Sequence, residues 1–304
     1  MPRGSGRPLG VGAILLTAIL WGTTGTAATF APDAGPLAIG AAALGIGGIL
    51  QALIAIPALR RARLRPHART IALGAVAVAV YPLAFYTSMD LAGVAIGSVI
   101  SLASAPLFSG ILELVVDRRP LGPWWCVAAA FGVAGGVLLC VAELDGHAPN
   151  GPAPLAGIGL GLVAGLTYAA YSWAAQRLMG AGVERGAAMG SVFGAGGVLL
   201  LPVLAVTGAP LVATPEAFAV GVYMALVPMF LGYVLFGYGL TKVTASTATT
   251  ITLVEPAVAT VLAVLVVGEG LAVAGWVGLA LFGVSLLVLG LAPQPGPTRV
   301  VAAG

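Results

Sequence analysis

The lysines and arginines of the chain gather at its two ends and around alternate breaks between ten apolar segments, and this alternation constrains the fold more than any motif does. Punctuated by Pro, Gly and charge, the segments run at about 10–30, 35–58, 70–89, 92–115, 122–142, 154–178, 187–207, 216–238, 243–267 and 271–291. Each approaches the roughly 20 apolar residues that a helix needs to cross the hydrocarbon core. With the N-terminus placed in the cytoplasm, all thirteen basic residues lie on the cytoplasmic side: Arg3, Arg7, Arg60, Arg61, Arg63, Arg65, Arg69, Arg118, Arg119, Arg177, Arg185, Lys242 and Arg299. The opposite side receives Asp33, Asp90, Glu143, Asp145, Glu216 and Glu269. One helix more or fewer would break the pattern downstream, so the positive-inside rule predicts both the count and the orientation. The expected fold is an all-α membrane protein of ten transmembrane helices with both termini cytoplasmic.

Composition agrees. Charged residues make up 8% of the chain, too few to cover a soluble surface, where about a quarter is usual. The arginines are scattered among loops rather than gathered in a stripe, which argues against a nucleic-acid partner. Cys126 and Cys140 share one segment and stand about 21 Å apart along a helix, beyond disulfide reach; they read as packing residues. Arg3 and Arg7 before an apolar run imitate a signal peptide. That run is long, contains Trp21 and is followed by further spans, so a retained first helix is expected.

The two halves resemble each other. Gly10-x-Gly12 through Trp21 is answered by Gly157-x-Gly159 through Tyr168, at an offset of 147. Pro82 is answered by Pro228, and Pro106 by Pro256, at similar offsets. Each half holds an odd number of spans, so the second must be threaded upside down. The expected organisation is therefore a five-helix repeat over 1–149 and an inverted one over 150–304, around a central cavity. Inverted repeats of this kind serve alternating access in transporters.

Leu253-Val254-Glu255-Pro256-Ala257, followed by Val267-Gly268-Glu269, resembles the ninth helix of the drug/metabolite transporter superfamily, in particular its EamA family. Ile19-Leu20-Trp21-Gly22-Thr23-Thr24 is similar to the family's first helix, and Ala105-Pro106-Leu107-Phe108 to its fourth. The resemblance covers essentially the whole chain. It implies two inverted five-helix halves, with helices 1, 3, 4, 6, 8 and 9 around the cavity, and export of amino acids, other metabolites or drugs. Amino-acid exporters of the YddG type are the nearest functional analogy. The chain departs from the pattern after the fourth helix, where Asp117-Arg118-Arg119-Pro120 replaces the usual Gly-Glu, and at Leu37 to Leu44, which lacks the usual basic residue.

Glu255 stands out, because a carboxylate near mid-span costs roughly 2.5–3.5 kcal/mol on insertion scales. It is expected either to contact a substrate ammonium or exchange a proton, or to satisfy a backbone carbonyl freed by Pro256. Trp21, Tyr81, Tyr86, Tyr168, Tyr171 and Trp173 lie within spans rather than in interfacial belts, offering apolar faces with one polar tip; each is a candidate substrate contact or a packing residue. Ser98, Ser101 and Ser104 form a slanted face of the fourth helix, and Thr244, Thr247, Thr250 and Thr252 enrich the ninth. Ser101 is the hydroxyl expected at the substrate; close helix packing is the competing role. Pro82, Pro106, Pro228 and Pro256 are candidate hinges. Glu113, one turn before Asp117 and close to Arg118 and Arg119, is expected to make a local ion pair.

These features favour a secondary transporter in a bacterial-type inner (plasma) membrane, exporting small polar or amphipathic metabolites, amino acids first among them, by alternating access, with a proton as an open candidate for the coupling ion. No Walker-type phosphate loop is present. An intramembrane enzyme is disfavoured because no His or Asp lies mid-span beside Glu255, and a drug exporter of the same fold is the alternative. No cofactor or metal is expected.

Overall fold

The structure is a computed structural model, and it describes residues 6–92, 94–144, 153–262 and 273–291. All regular structure among them is helical. The elements are α1 (Arg7–Gly22), α2 (Thr24–Ala28), α3 (Pro36–Ile54), α4 (Ile56–Arg61), α5 (Ala68–Ala92), α6 (Val94–Val115), α7 (Pro123–Leu144), α8 (Pro154–Gly180), α9 (Arg185–Thr207), α10 (Pro215–Met224), a π-helical segment (Ala225–Leu231), α11 (Gly232–Leu240), α12 (Ala245–Ile251), α13 (Val254–Leu262) and α14 (Val273–Leu291). Pro36, Pro123, Pro154 and Pro215 each open a helix, where the missing N–H costs nothing and the ring presets φ. Asp145, His147, Arg3, Arg299 and the Val267-Gly268-Glu269 motif lie outside the described residues.

Among the described residues, seven helices are long and apolar enough to cross a membrane, and Pro123–Leu138 and Val273–Leu289 are shorter apolar helices. The distribution of side chains is that of a protein in lipid. Leu53, Ile54, Leu73, Val76, Ile111, Val198 and Phe218 are turned outward, while the interior is rich in Ala, Gly, Ser, Thr and aromatic rings, with Leu, Ile, Val and Met among them. Apolar side chains gain nothing by hiding from lipid, so small residues that let backbones close together take the interior.

The contact of α3 with α9 shows this most sharply. A Cβ placed on Gly48 would stand 2.3 Å from the Phe193 carbonyl oxygen, and one on Gly197 would stand 2.6 Å from that of Gly45. The two backbones touch. Further extensive pairings join α5 to α8 and α9, α6 to α8, α7 to α14, and α1 to α11 and α13.

Four breaks interrupt the spans among the described residues. Thr23 separates α1 from α2, Ala55 separates α3 from α4, the π-helical segment surrounds Pro228, and Thr252-Leu253 separates α12 from α13. The unbroken ninth helix expected over 243–267, with Glu255 in its middle, is therefore not what forms. A proline ring clashes with the carbonyl four residues earlier, and four residues before Pro256 is Thr252, where α12 has ended. Glu255 is the second residue of α13. Pro228 lies four residues after Met224, the last residue of α10, and the wider π turn accommodates its ring. Pro82 and Pro106 sit inside unbroken α5 and α6.

At the end of the bundle carrying Arg177 and Lys242, a polar cluster ties α6 to α8 and α12. In place of the local ion pair expected for Glu113 there is a longer-range contact. Glu113 is buried, and its Oε1 and Oε2 accept from the Ser246 backbone N–H at 2.8 Å and its hydroxyl at 2.9 Å. The first turn of α12 has N–H groups without helical partners, and this carboxylate satisfies one from another helix. Gln176 receives the neighbouring Ala245 N–H at 3.1 Å and donates to the Val243 carbonyl at 2.7 Å.

Candidate functional site

Where α1, α3, α5, the π-helical segment and α13 converge, they leave a pocket of about 350 Å³. Five rings line it: Trp21, Tyr81, Phe85, Tyr86 and Tyr233. Thr24, Met229 and Glu255 contribute the remaining functional side chains, and Gly40, Ala43, Leu44 and Pro82 complete the wall.

Trp21 reaches the pocket from the last turn of α1. Its indole N–H, a donor only, gives a 2.9 Å hydrogen bond to the Pro228 carbonyl of the π-helical segment. Its ring lies 4.9 Å from that of Tyr233 and 5.4 Å from that of Phe236. Gly232 permits this approach, since a Cβ there would stand 2.8 Å from the indole nitrogen.

Glu255 enters from the first turn of α13. Gly22 lets α1 come against it: a Cβ on Gly22 would stand 2.9 Å from the Glu255 carbonyl oxygen. The side chain is 7% exposed, and among the described residues its Oε2 has no hydrogen-bond partner. No basic residue lines the pocket among those described. A carboxylate oxygen buried without a donor is costly, so the empty pocket presents an unmet acceptor.

The pocket thus gathers Trp21, Tyr81, Tyr86 and Glu255, with Pro82 in its wall. Tyr168 and Tyr171 stand one layer behind. The Tyr168 hydroxyl meets that of Thr252 at 2.7 Å, the Tyr171 hydroxyl meets that of Tyr233 at 2.7 Å, and both rings lie 5.6 Å from Tyr81. Ser101 and Trp173 lie elsewhere. Ser101 donates to the Gly97 carbonyl of its own helix at 2.7 Å, in the seam where Gly165 of α8 meets α6. Trp173 donates to Asp117 Oδ2 at 2.9 Å in the polar cluster, where Arg177 pairs with Asp117 and lies 5.0 Å over the Trp173 ring. The departure at Asp117 thus has a structural use. Of the ninth-segment hydroxyls, Thr250 donates to the Ser246 carbonyl and Thr252 to that of Thr249, so both serve the backbone. Pro106 and Pro256 do not line the pocket, and Pro228 meets it through its carbonyl's bond to Trp21.

Sequence reasoning missed Tyr233, Phe85, Met229 and Thr24. Tyr233 had a usable signal. Tyr86 follows Pro82 by four residues, and Tyr233 follows Pro228 by five; the wider π turn takes up the extra residue.

The family model described as "EamA-like transporter family" matches the chain twice, over residues 8–141 and 155–291. A Bacillus subtilis (strain 168) protein named "Uncharacterized transporter YwfM" is 36% identical over 292 residues, spanning 95% of this chain and 96% of its own. A solved crystal structure that is 19% identical superposes with a TM-score of 0.75 over 95% of this chain and 98% of its own, a likeness of fold.

Proposed function

The chain belongs to the EamA-like transporter family of multi-pass membrane proteins, and from that membership we propose that it exports small polar or amphipathic metabolites of amino-acid size by alternating access at the Glu255 pocket. A transporter of this family sits in a lipid bilayer and handles a small-molecule substrate. The finer reading is of ten spans in two inverted halves, 1–149 and 150–304, with both termini cytoplasmic in the inner membrane.

Two further observations support the halves. The family model matches once on each side of residue 150. The helix pairings also keep their pattern when the halves are exchanged: α5 with α8 corresponds to α1 with α11, and α6 with α8 to α13 with α1, while α3–α9 and α7–α14 map onto themselves. The observation that carries the function is the buried Glu255 carboxylate, whose Oε2 has no partner among the described residues, in an aromatic pocket between those halves. The breaks at Thr23, Pro228 and Thr252 give points where half-helices rock to open one side and close the other, and Pro82, Pro106, Pro228 and Pro256 are proposed as hinges. Glu255 is also the proposed proton-exchanging group.

The test is counterflow in liposomes holding only the purified chain, screened with labelled amino acids, amines and other small metabolites. Saturable, protein-dependent flux of at least one compound is expected. Correctly inserted protein that gives no saturable flux with any of them would contradict the reading.

A further inference from the structure

Of the two poles of an amino-acid-like molecule, the pocket offers a counter-charge to only one. Glu255 offers a carboxylate oxygen, buried and without a donor among the described residues. Trp21, Tyr81, Phe85, Tyr86 and Tyr233 surround the space it faces with ring surface, and a cation near desolvated aromatic faces is attracted by their quadrupoles. An ammonium group brings the hydrogens that Oε2 lacks and the charge that a buried carboxylate needs.

A substrate carboxylate finds no counter-charge there; the Tyr81 and Tyr86 hydroxyls in the wall are neutral donors. No Lys, Arg or His lines the pocket among the described residues. A broken helix often receives an anion on the free N–H groups of its second half, but here two of the N–H groups at the break are already occupied and one residue has none. The Leu253 N–H goes to the Thr250 carbonyl at 3.2 Å and the Glu255 N–H to that of Thr252 at 2.9 Å; Pro256 has none. The hydroxyl of Thr24, the one hydroxyl that α2 brings to the wall, donates to the Trp21 carbonyl at 2.8 Å. The Trp21 N–H is held by Pro228. A second carboxylate would instead stand near that of Glu255 and be repelled.

Resting on the reading of this pocket as the transport site, we propose that the chain selects aromatic or aliphatic amines whose cationic ammonium pairs with Glu255, in preference to the zwitterionic amino acids of the same shape. The apolar remainder of the molecule lies against Trp21, Tyr81 and Tyr233, which move apart to admit it.

Three compounds sharing one phenyl group separate the poles: 2-phenylethylamine has only the amine, phenylalanine has both, and 3-phenylpropionate has only the acid. The full chain in nanodiscs is titrated with each while thermal unfolding is followed, with empty discs as the blank. The amine is expected to raise the unfolding temperature and to bind at least about tenfold more tightly than phenylalanine, a difference of roughly 1.4 kcal/mol. The acid should give no shift, and Glu255→Gln should remove the response to the amine. Phenylalanine binding as tightly as the amine, a shift that survives Glu255→Gln, or no shift with any compound would overturn the proposal. The three-ligand comparison on the parent chain decides even if the variant folds poorly. Counterflow with the same compounds separates the two levels: saturable amino-acid flux without amine preference sinks the amine proposal alone, and no flux with any substrate sinks the transport reading beneath it.

Discussion

A Glu255→Gln variant will insert and unfold like the parent but lose most of its substrate affinity. Gln keeps the shape of the side chain and removes only the charge, and the carboxylate it replaces has no partner among the described residues at Oε2. The empty protein therefore loses little and is relieved of a buried acceptor. The substrate loses its counter-charge. Removing one member of a buried charge pair costs about 2–5 kcal/mol, roughly 30-fold to several-thousand-fold in affinity. Concentration-dependent counterflow reads this directly as a rise in the half-saturating concentration or as loss of saturable flux. The same replacement tests proton exchange, since a carboxamide cannot titrate; pH dependence of the remaining flux identical to the parent's would remove that role from Glu255. Ser101→Ala provides the contrast. Its hydroxyl is occupied by the Gly97 carbonyl of its own helix, so transport should change little.

Gly48→Val will yield almost no folded protein. The added Cβ would lie 2.3 Å from the Phe193 carbonyl oxygen and 3.1 Å from its carbon, both backbone atoms of α9, so no side-chain rotation relieves the clash. Overpacking a well-fitted interior costs about 1–3 kcal/mol when neighbours can adjust. Here α3 and α9 would have to separate along a seam that also holds Gly45, Gly194 and Gly197, and the cost exceeds that range. The monodisperse fraction on size exclusion in detergent measures it. Gly12→Ala is the matched control: among the described residues, no atom beyond its own helical turn lies within 4 Å of its Cβ position, and replacing helical Gly by Ala is favourable by about 1 kcal/mol. Loss of the control as well would show that glycine content, rather than this contact, limits folding.

The fold was far more legible than the site, and the residues show why. Hydropathy is summed over whole segments, so an all-helical, multi-pass membrane fold is legible without any knowledge of packing. The matched prolines were visible too. What each does was not, because a proline's effect depends on what the residue four earlier can yield: Thr252 yields by breaking the helix, whereas α5 and α6 stay continuous at Pro82 and Pro106. The pocket was half visible. Trp21, Tyr81, Tyr86 and Glu255 carry the wrong chemistry for lipid, which marks them; Met229 and Phe85 are ordinary apolar residues, and nothing in their identity places them at a wall rather than in a seam. Glu113 shows the limit in the other direction. Its nearest charges in sequence suggested an ion pair, and its partner is Ser246, 133 residues away.

The account rests on two halves threaded in opposite senses, since only that brings α1 and α5 from one half against the π-helical segment and α13 from the other around Glu255. The direct measurement is the accessibility of single cysteines to a membrane-impermeant reagent in intact cells, in a background lacking Cys126 and Cys140. Cysteines within Arg60–Arg69 should be shielded until the membrane is opened, and cysteines within Glu143–Pro154 should react from outside. Labelling of both segments from the same side would contradict the account.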